Sequence, residues 1–492
     1  MRETISPFKE KFSVPLLWIF STVFLSGIFI FAAIPKAEAQ GEDGRRYISI
    51  IQNAFDFIQR NYVTEVDPEV LFEGAMSGLF NALGDPYSSF LPEKEMAGLN
   101  ETTQGNFGGL GLYISKPIGE QPGGKPPYVE VAAPIEDTPG WRAGINPGDL
   151  IIKINDEYTD VLTMDEVLAR LRGEPGVEIK LLIRRGEKLE FPIAITRAII
   201  EVPTVKYAMI GDIGYVRIIT FTPMTVDRTV EALNHFKAQN ARSIVIDLRN
   251  NYGGLLQSAI GVCDLFLNGG LVVTTRSRMN GSNIVYHARQ ATEVPLTMPI
   301  VTLINRGSAS ASEIVAGALK DRGRAYLVGE KSFGKGSVQQ VYNLDTVGFK
   351  LTTAHYFTPS DASIDQIGIP PDREVLFPEF SDADMELLNA LINANRIPAF
   401  VAENPQASAA EVNAFVLRLS EEYRLDISLL RRLIRNEQNR TVIAPVYDLE
   451  YDVQLQEAVN ILRSGNYSRL MQTAKTLKAL QEESEGEEVL AS

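Results

Sequence analysis

Val14 to Ile34 (VPLLWIFSTVFLSGIFIFAAI) is an uncharged apolar run of 21 residues. It has no polar face, so it cannot lie on a globular surface as an amphipathic helix. At about 1.5 Å of rise per residue its length suits a bilayer span. Arg2, Lys9 and Lys11 precede it, and Ala37-Glu38-Ala39 follows, a small-residue pattern like a signal-peptidase site. Residues 1–40 therefore read as a cleaved signal peptide or a retained membrane anchor, and either one exports the remainder.

At 492 residues the chain is long enough for about three domains. Its 47 basic and 62 acidic residues leave a formal charge of −15, which argues against nonspecific nucleic-acid binding, since that needs a basic face to displace phosphate counterions. One cysteine, Cys263, rules out an internal disulfide and a cysteine-based zinc site, and its apolar surroundings (Ala259 to Leu267) mark it as a small core residue. None of the three histidines begins a His-Glu-x-x-His pattern, so no metal is expected.

Beyond the span, Ile48, Ile51, Phe55, Ile58 and Tyr62 recur at helical spacing, and Gly84-Asp-Pro-Tyr-Ser88 breaks that pattern. From Gly105 to about Ala198 the texture turns to short β-type runs with one amphipathic helix over Thr163 to Leu171. Past Val202, strands such as Ser243–Asp247 and Ile300–Ile304 alternate with helices, which predicts an α/β layer architecture. After about Glu379 the pattern is helical again, with segments over Met385–Asn395, Ala410–Tyr423, Ile427–Asn436 and Val453–Leu480.

Two segments carry candidate chemistry. Asn305-Arg-Gly-Ser-Ala-Ser-Ala-Ser312 follows a buried strand and opens a helix, where unpaired backbone N–H groups can hold an oxyanion. The plainer reading is that Ser308, Ser310 and Ser312 compete to cap the helix. Gly329-x-x-x-x-Gly334-Lys335 is most of a phosphate-binding loop, but Gly336 stands where a magnesium-binding hydroxyl is needed, and Ser337–Leu344 reads as a strand rather than a helix. Period two puts Lys335, Ser337 and Gln339 on one face. A desolvated lysine there can serve as a general base toward a serine.

The strings DLRNNYGGLL (Asp247–Leu256), NRGSASASEIVAGALKD (Asn305–Asp321), GEKSFGKGSVQ (Gly329–Gln339) and IGIPPD (Ile367–Asp372) together closely resemble the C-terminal processing peptidases, or tail-specific proteases. The resemblance implies a crotonase/ClpP-like α/β protease core at 200–378 with an inserted PDZ domain at 97–190. It also implies an N-terminal helical segment at 45–96 and a C-terminal helical extension at 380–492. By the same resemblance Ser310 is the nucleophile, Lys335 the base and Gln339 its holder, with the N–H groups of Gly254 and Ala311 as oxyanion donors. Glu313 matches a further acidic position without an assigned role. The PDZ carboxylate-binding loop falls on Gly109, Leu110, Gly111 and Leu112, where backbone N–H groups capture a chain terminus and the peptide adds as a strand.

The implied function is a serine endopeptidase that cleaves exported proteins near their C-termini. Its expected partners are proteins or peptides with free C-termini, and no cofactor is called for. The expected location is a periplasm, free or anchored in the inner membrane through residues 1–40. The C-terminal helices are candidates for self-association or an adaptor. Tyr252, often Pro or Gly in the family, and Ser360-Asp-Ala-Ser363, in place of Ser-Gly-Arg, depart from the pattern without removing a catalytic group. The competing reading is a catalytically silent, membrane-tethered PDZ scaffold.

Overall fold

The computed structural model describes residues 42–116, 126–135, 137–186, 189–279, 283–377, 381–439 and 445–483. The apolar run at 14–34 lies outside them. Among the described residues no helix is long and apolar enough to cross a membrane.

The centre is a six-stranded sheet in the order Val205–Ile210, Ile213–Ile218, Ser243–Asp247, Ile300–Ile304, Tyr326–Gly329 and Arg373–Glu374. The first pair is antiparallel and the remaining neighbours are parallel. Ser243–Asp247 and Ile300–Ile304 are buried along their whole length. Parallel strands covered on both faces require such continuous apolar runs. Ile244, Ile246 and Ile300 pack with the helices Thr225–Ala238, Leu256–Phe266 and Ala311–Asp321. The alternate residues Val245, Val301 and Leu303 face the other way, onto the helix Val453–Arg463.

That second layer changes the expected division of the chain. Residues of the C-terminal helical region close one face of the α/β core rather than standing outside it, because an uncovered apolar sheet face would be left in water. The helices Asp382–Asn393, Arg396–Glu403, Ala409–Tyr423 and Ile427–Gln438 form their own cluster around Leu391, Phe415, Leu419 and Leu430. The single helix expected over Val453–Leu480 is broken, with Gly465 at φ +71° ending its first part.

Arg249, 8% exposed, fastens this layer to the core. Its guanidinium donates to both carboxylate oxygens of Asp247 (3.0 and 2.6 Å) and both of Asp452 (2.7 and 2.6 Å). Tyr215 donates to Asp247 at 2.7 Å. Removing one member leaves an unpaired buried charge, so Arg249→Ala is expected to cost about 3–5 kcal/mol, measured as a lowered urea midpoint.

A second sheet joins Ser89–Leu91, Val347–Phe357, Gly270–Ser277 and Ile284–Ala288, with Ser337–Leu344 paired to Val347–Phe357. The N-terminal segment is thus not helical throughout, since Ser89–Leu91 pairs with the core strand at Lys350 to Gly348. The helix Glu93–Gln104 crosses the boundary expected at 97.

The inserted domain is the antiparallel sheet Leu112–Ser115, Val129–Pro134, Leu150–Ile154, Glu178–Arg185 and Leu189–Thr196, with the helix Met164–Leu171. Val131, Ile151, Val167, Ile179 and Ile183 form its core. Asn106–Gly109 pairs with Ala198–Glu201, so the chain enters and leaves this domain through one two-stranded neck.

Candidate active site

The three serines of the strand-to-helix turn are separated by their partners. Ser308 Oγ donates to Leu248 O at 2.8 Å and Ser312 Oγ to Asn251 O at 2.7 Å, both fully buried, so they stitch the turn to the loop after Asp247. Asn250 N donates to Asn305 Oδ1 at 2.9 Å, and Asn305 Nδ2 donates back to Asn250 Oδ1 at the same distance. Only Ser310 turns its hydroxyl to a side chain, Tyr356 Oη at 2.8 Å. Ser310 has φ +57° and ψ −115°, a conformation that costs a non-glycine residue about 1–3 kcal/mol and presents its side chain at the head of the helix.

Gly253 and Gly254 fit the facing loop to this turn. A Cβ on Gly253 would lie 2.8 Å from Ser310 Cβ and 3.0 Å from Ala311 N. Gly254, at φ +138°, leaves no room for a side chain, since a Cβ would meet Phe221 O at 2.2 Å. Among the described residues the amide N–H groups of Gly254 and Ala311 meet no hydrogen-bond acceptor.

Glu313, to which the sequence assigned no role, joins the two candidate segments. Its Oε2 accepts the backbone N–H of Ser310 and that of Lys335, each at 2.9 Å, so both backbones meet at one oxygen. Its Oε1 accepts from Ser332 Oγ at 2.5 Å and Gly334 N at 2.7 Å. Burial pushes this carboxyl above its ordinary value, against four hydrogen bonds that favour its ionised form.

Lys335 is held below the ordinary lysine value by burial first and by the neighbouring Lys350 charge second, while Asp85 and Glu313 pull the other way. Its Nζ lies over the ring of Tyr87, 4.6 Å from the centroid. Among the described residues no hydrogen bond joins Lys335 Nζ to Ser310 Oγ or to Gln339. The Gln339 amide instead donates to Ser337 Oγ at 2.9 Å and Thr352 Oγ1 at 3.3 Å, and a bulge between Val338 and Gln339 interrupts the expected two-residue period.

The Gly84–Ser88 turn, read from sequence only as a helix breaker, reaches this site. Asp85 accepts from Ser88 Oγ at 2.6 Å and Tyr87 N at 2.9 Å, and Ser88 Oγ accepts from Thr352 N at 2.9 Å. Burial would raise the Asp85 carboxyl, but these hydrogen bonds, one from Thr352 and the Lys335 charge leave it below its ordinary value.

Cys263 lies in the core with its thiol pushed up by burial, which keeps it protonated. In the inserted domain, Leu110 and Gly111 use their carbonyls to accept from Gly140 N and Ile135 N, each at 2.8 Å. Their own N–H groups meet no acceptor among the described residues. Gly111 sits at φ +74°, where a Cβ would strike Thr138 at 2.3 Å. Leu112 opens an edge strand of the sheet, and Gly109 ends a neck strand.

Family models match this chain in three places: peptidase family S41 over residues 212–375, a PDZ domain over 130–185, and the activating protease CtpB N-terminal domain over 31–95. The chain is 38% identical over 363 residues to the carboxy-terminal-processing protease of Bartonella bacilliformis, covering 73% of this chain and 81% of that one. It is 32% identical over 334 residues to the carboxy-terminal processing protease CtpA of Bacillus subtilis, covering 67% and 69%. The solved photosystem II D1 C-terminal processing protease is 28% identical, covers 66% of this chain and 92% of its own, and superposes with a TM-score of 0.40. The chain belongs to peptidase family S41. It is a serine-type peptidase of the carboxy-terminal processing kind, with an inserted PDZ domain.

Proposed function

We propose that the chain cleaves exported proteins near their C-termini with a Ser310–Lys335 dyad. One observation carries the assignment: of the three serines, Ser308 and Ser312 spend their hydroxyls on backbone carbonyls, while Ser310 turns its own to a side chain at a turn where, among the described residues, the N–H groups of Ala311 and of Gly254 in the facing loop meet no acceptor. Neutral Lys335 accepts the Ser310 proton as Oγ attacks the scissile carbonyl, and its hydrogen bond to Ser310 forms when substrate binds. The Gly254 and Ala311 N–H groups stabilise the oxyanion, and the resulting lysinium protonates the leaving amine. Water then hydrolyses the acyl-enzyme. Gln339 acts at one remove, through Thr352, whose side chain bonds Asp85 near the Lys335 charge.

The amides of Leu110 and Gly111, which meet no acceptor among the described residues, receive with the rest of the loop Gly109 to Leu112 the substrate's terminal carboxylate, and the tail adds to the edge strand Leu112–Ser115. Export rests on the 21-residue apolar run and the basic residues before it.

Because the base acts unprotonated, kcat/KM rises with pH along a limb lying below the ordinary lysine value of 10.5. Lys335→Arg, whose guanidinium stays charged, removes that limb together with the activity. The proposal is tested with the full chain on a folded reporter bearing an apolar C-terminal tail. Wild type cleaves it, Ser310→Ala does not, and amidation of the tail weakens cleavage. Cleavage by the alanine variant would remove the dyad, and indifference to amidation would remove the role of the carboxylate loop.

A further inference from the structure

Tyr356 stands on the long strand Val347–Phe357, 3% exposed, and bridges both halves of the candidate site. Its backbone N–H donates at 2.8 Å to the carbonyl of Gly336, the residue after Lys335. Its phenolic oxygen lies 2.8 Å from Ser310 Oγ, the one hydrogen-bond partner that oxygen has among the described residues. The ring is fixed by apolar packing in the cluster that also holds Val272, Val273 and Ile314. A buried phenol needs a partner, and this one has been given the nucleophile's oxygen rather than a backbone carbonyl.

We propose that Tyr356 is a third catalytic residue, whose O–H donates to Ser310 Oγ before and during acyl transfer. The inference rests on Ser310 being the nucleophile. Burial, with the Glu313 and Asp365 carboxylates nearby, pushes the phenol well above its ordinary value, so it stays a neutral donor across the working pH range. A hydroxyl oxygen that accepts from Tyr356 keeps its own proton free for another direction, and Lys335 Nζ is the base that takes it. Tyr356 retains its proton throughout. In deacylation the Oγ is the leaving atom and gathers negative charge, and the same O–H stabilises it until lysinium returns the proton.

The test compares wild type with Tyr356→Phe, which removes one oxygen and leaves the apolar packing in place. Tail-reporter kinetics are followed alongside the rate at which a fluorophosphonate labels Ser310. Loss of one hydrogen bond to a developing charge is expected to lower kcat by about 10- to 100-fold and slow labelling in parallel. KM stays within about two-fold, because no substrate contact is lost. An unchanged thermal midpoint separates this from a folding defect. Wild-type kcat and labelling rate in the phenylalanine variant, or an increase in either, would overturn the proposal. Absence of labelling in wild type would instead overturn the nucleophile assignment on which it rests. Should the phenylalanine variant lose its fold, 3-fluorotyrosine at position 356, a stronger donor of nearly the same shape, must change the labelling rate; an unchanged rate would again overturn the role.

Discussion

Lys335→Met is expected to lower kcat/KM by about four orders of magnitude or more while the protein stays folded, since loss of one member of a nucleophile–base unit removes most of its contribution. The stability of this variant carries a second, independent sign. Burial holds the Lys335 amine below 10.5 in the folded protein, whereas the unfolded chain keeps the ordinary value. Folding therefore carries a penalty for the charged amine that is fully present below the folded value and fades as pH rises through it. Methionine lacks that penalty, so at neutral pH its thermal midpoint should match or exceed that of wild type, with the advantage shrinking at higher pH. A midpoint well below wild type would show that Lys335 is a structural cation.

Glu313→Ala is the second large effect, and it acts on both activity and stability. The substitution strands the N–H groups of Ser310, Gly334 and Lys335 and the hydroxyl of Ser332. Each unsatisfied buried group costs about 1–3 kcal/mol, so a loss of about 4 kcal/mol is expected after local relaxation. Glu313→Gln is the milder test. Ser332 can rotate to accept from the new amide, leaving Gly334 N–H as the main orphan, at about 2 kcal/mol. Glu313→Ala should lose at least about 100-fold in kcat/KM, because the backbones of Ser310 and Lys335 no longer share an anchor, whereas the glutamine oxygen still accepts from both and should lose less. Urea denaturation and tail-reporter kinetics on the same samples read both. A folded alanine variant with wild-type kcat/KM would show that this carboxylate holds the fold but not the site.

The strings that carry Ser310, Lys335 and Gly254 stand out in the sequence, and the roles proposed for these residues come from the family resemblance of those strings. Gly254 must be glycine against Phe221, and the Ser310 turn must follow a buried strand. The alternation of strands and helices after Val202 was legible because it is written in local periodicity.

What escaped the sequence is what only tertiary packing brings together. Asp85 and Ser88 meet Thr352, and Arg249 meets Asp452, across separations of more than 200 residues. The two faces of the central sheet were legible as apolar, but nothing local says which helices cover which face. The placement of Val453–Arg463 beneath Val245 and Val301 therefore had to come from the fold. Glu313 has no role assignable from sequence, because its bonds to Ser332, Gly334 and Lys335 come from a segment about twenty residues away.

Peptide mapping after fluorophosphonate treatment tests the central claim most directly, because three serines lie within five residues and only one is assigned as nucleophile. The account predicts a single adduct on Ser310, absent in Ser310→Ala and formed far more slowly in Lys335→Ala. An adduct on Ser308 or Ser312, or undiminished labelling without the lysine, would contradict it.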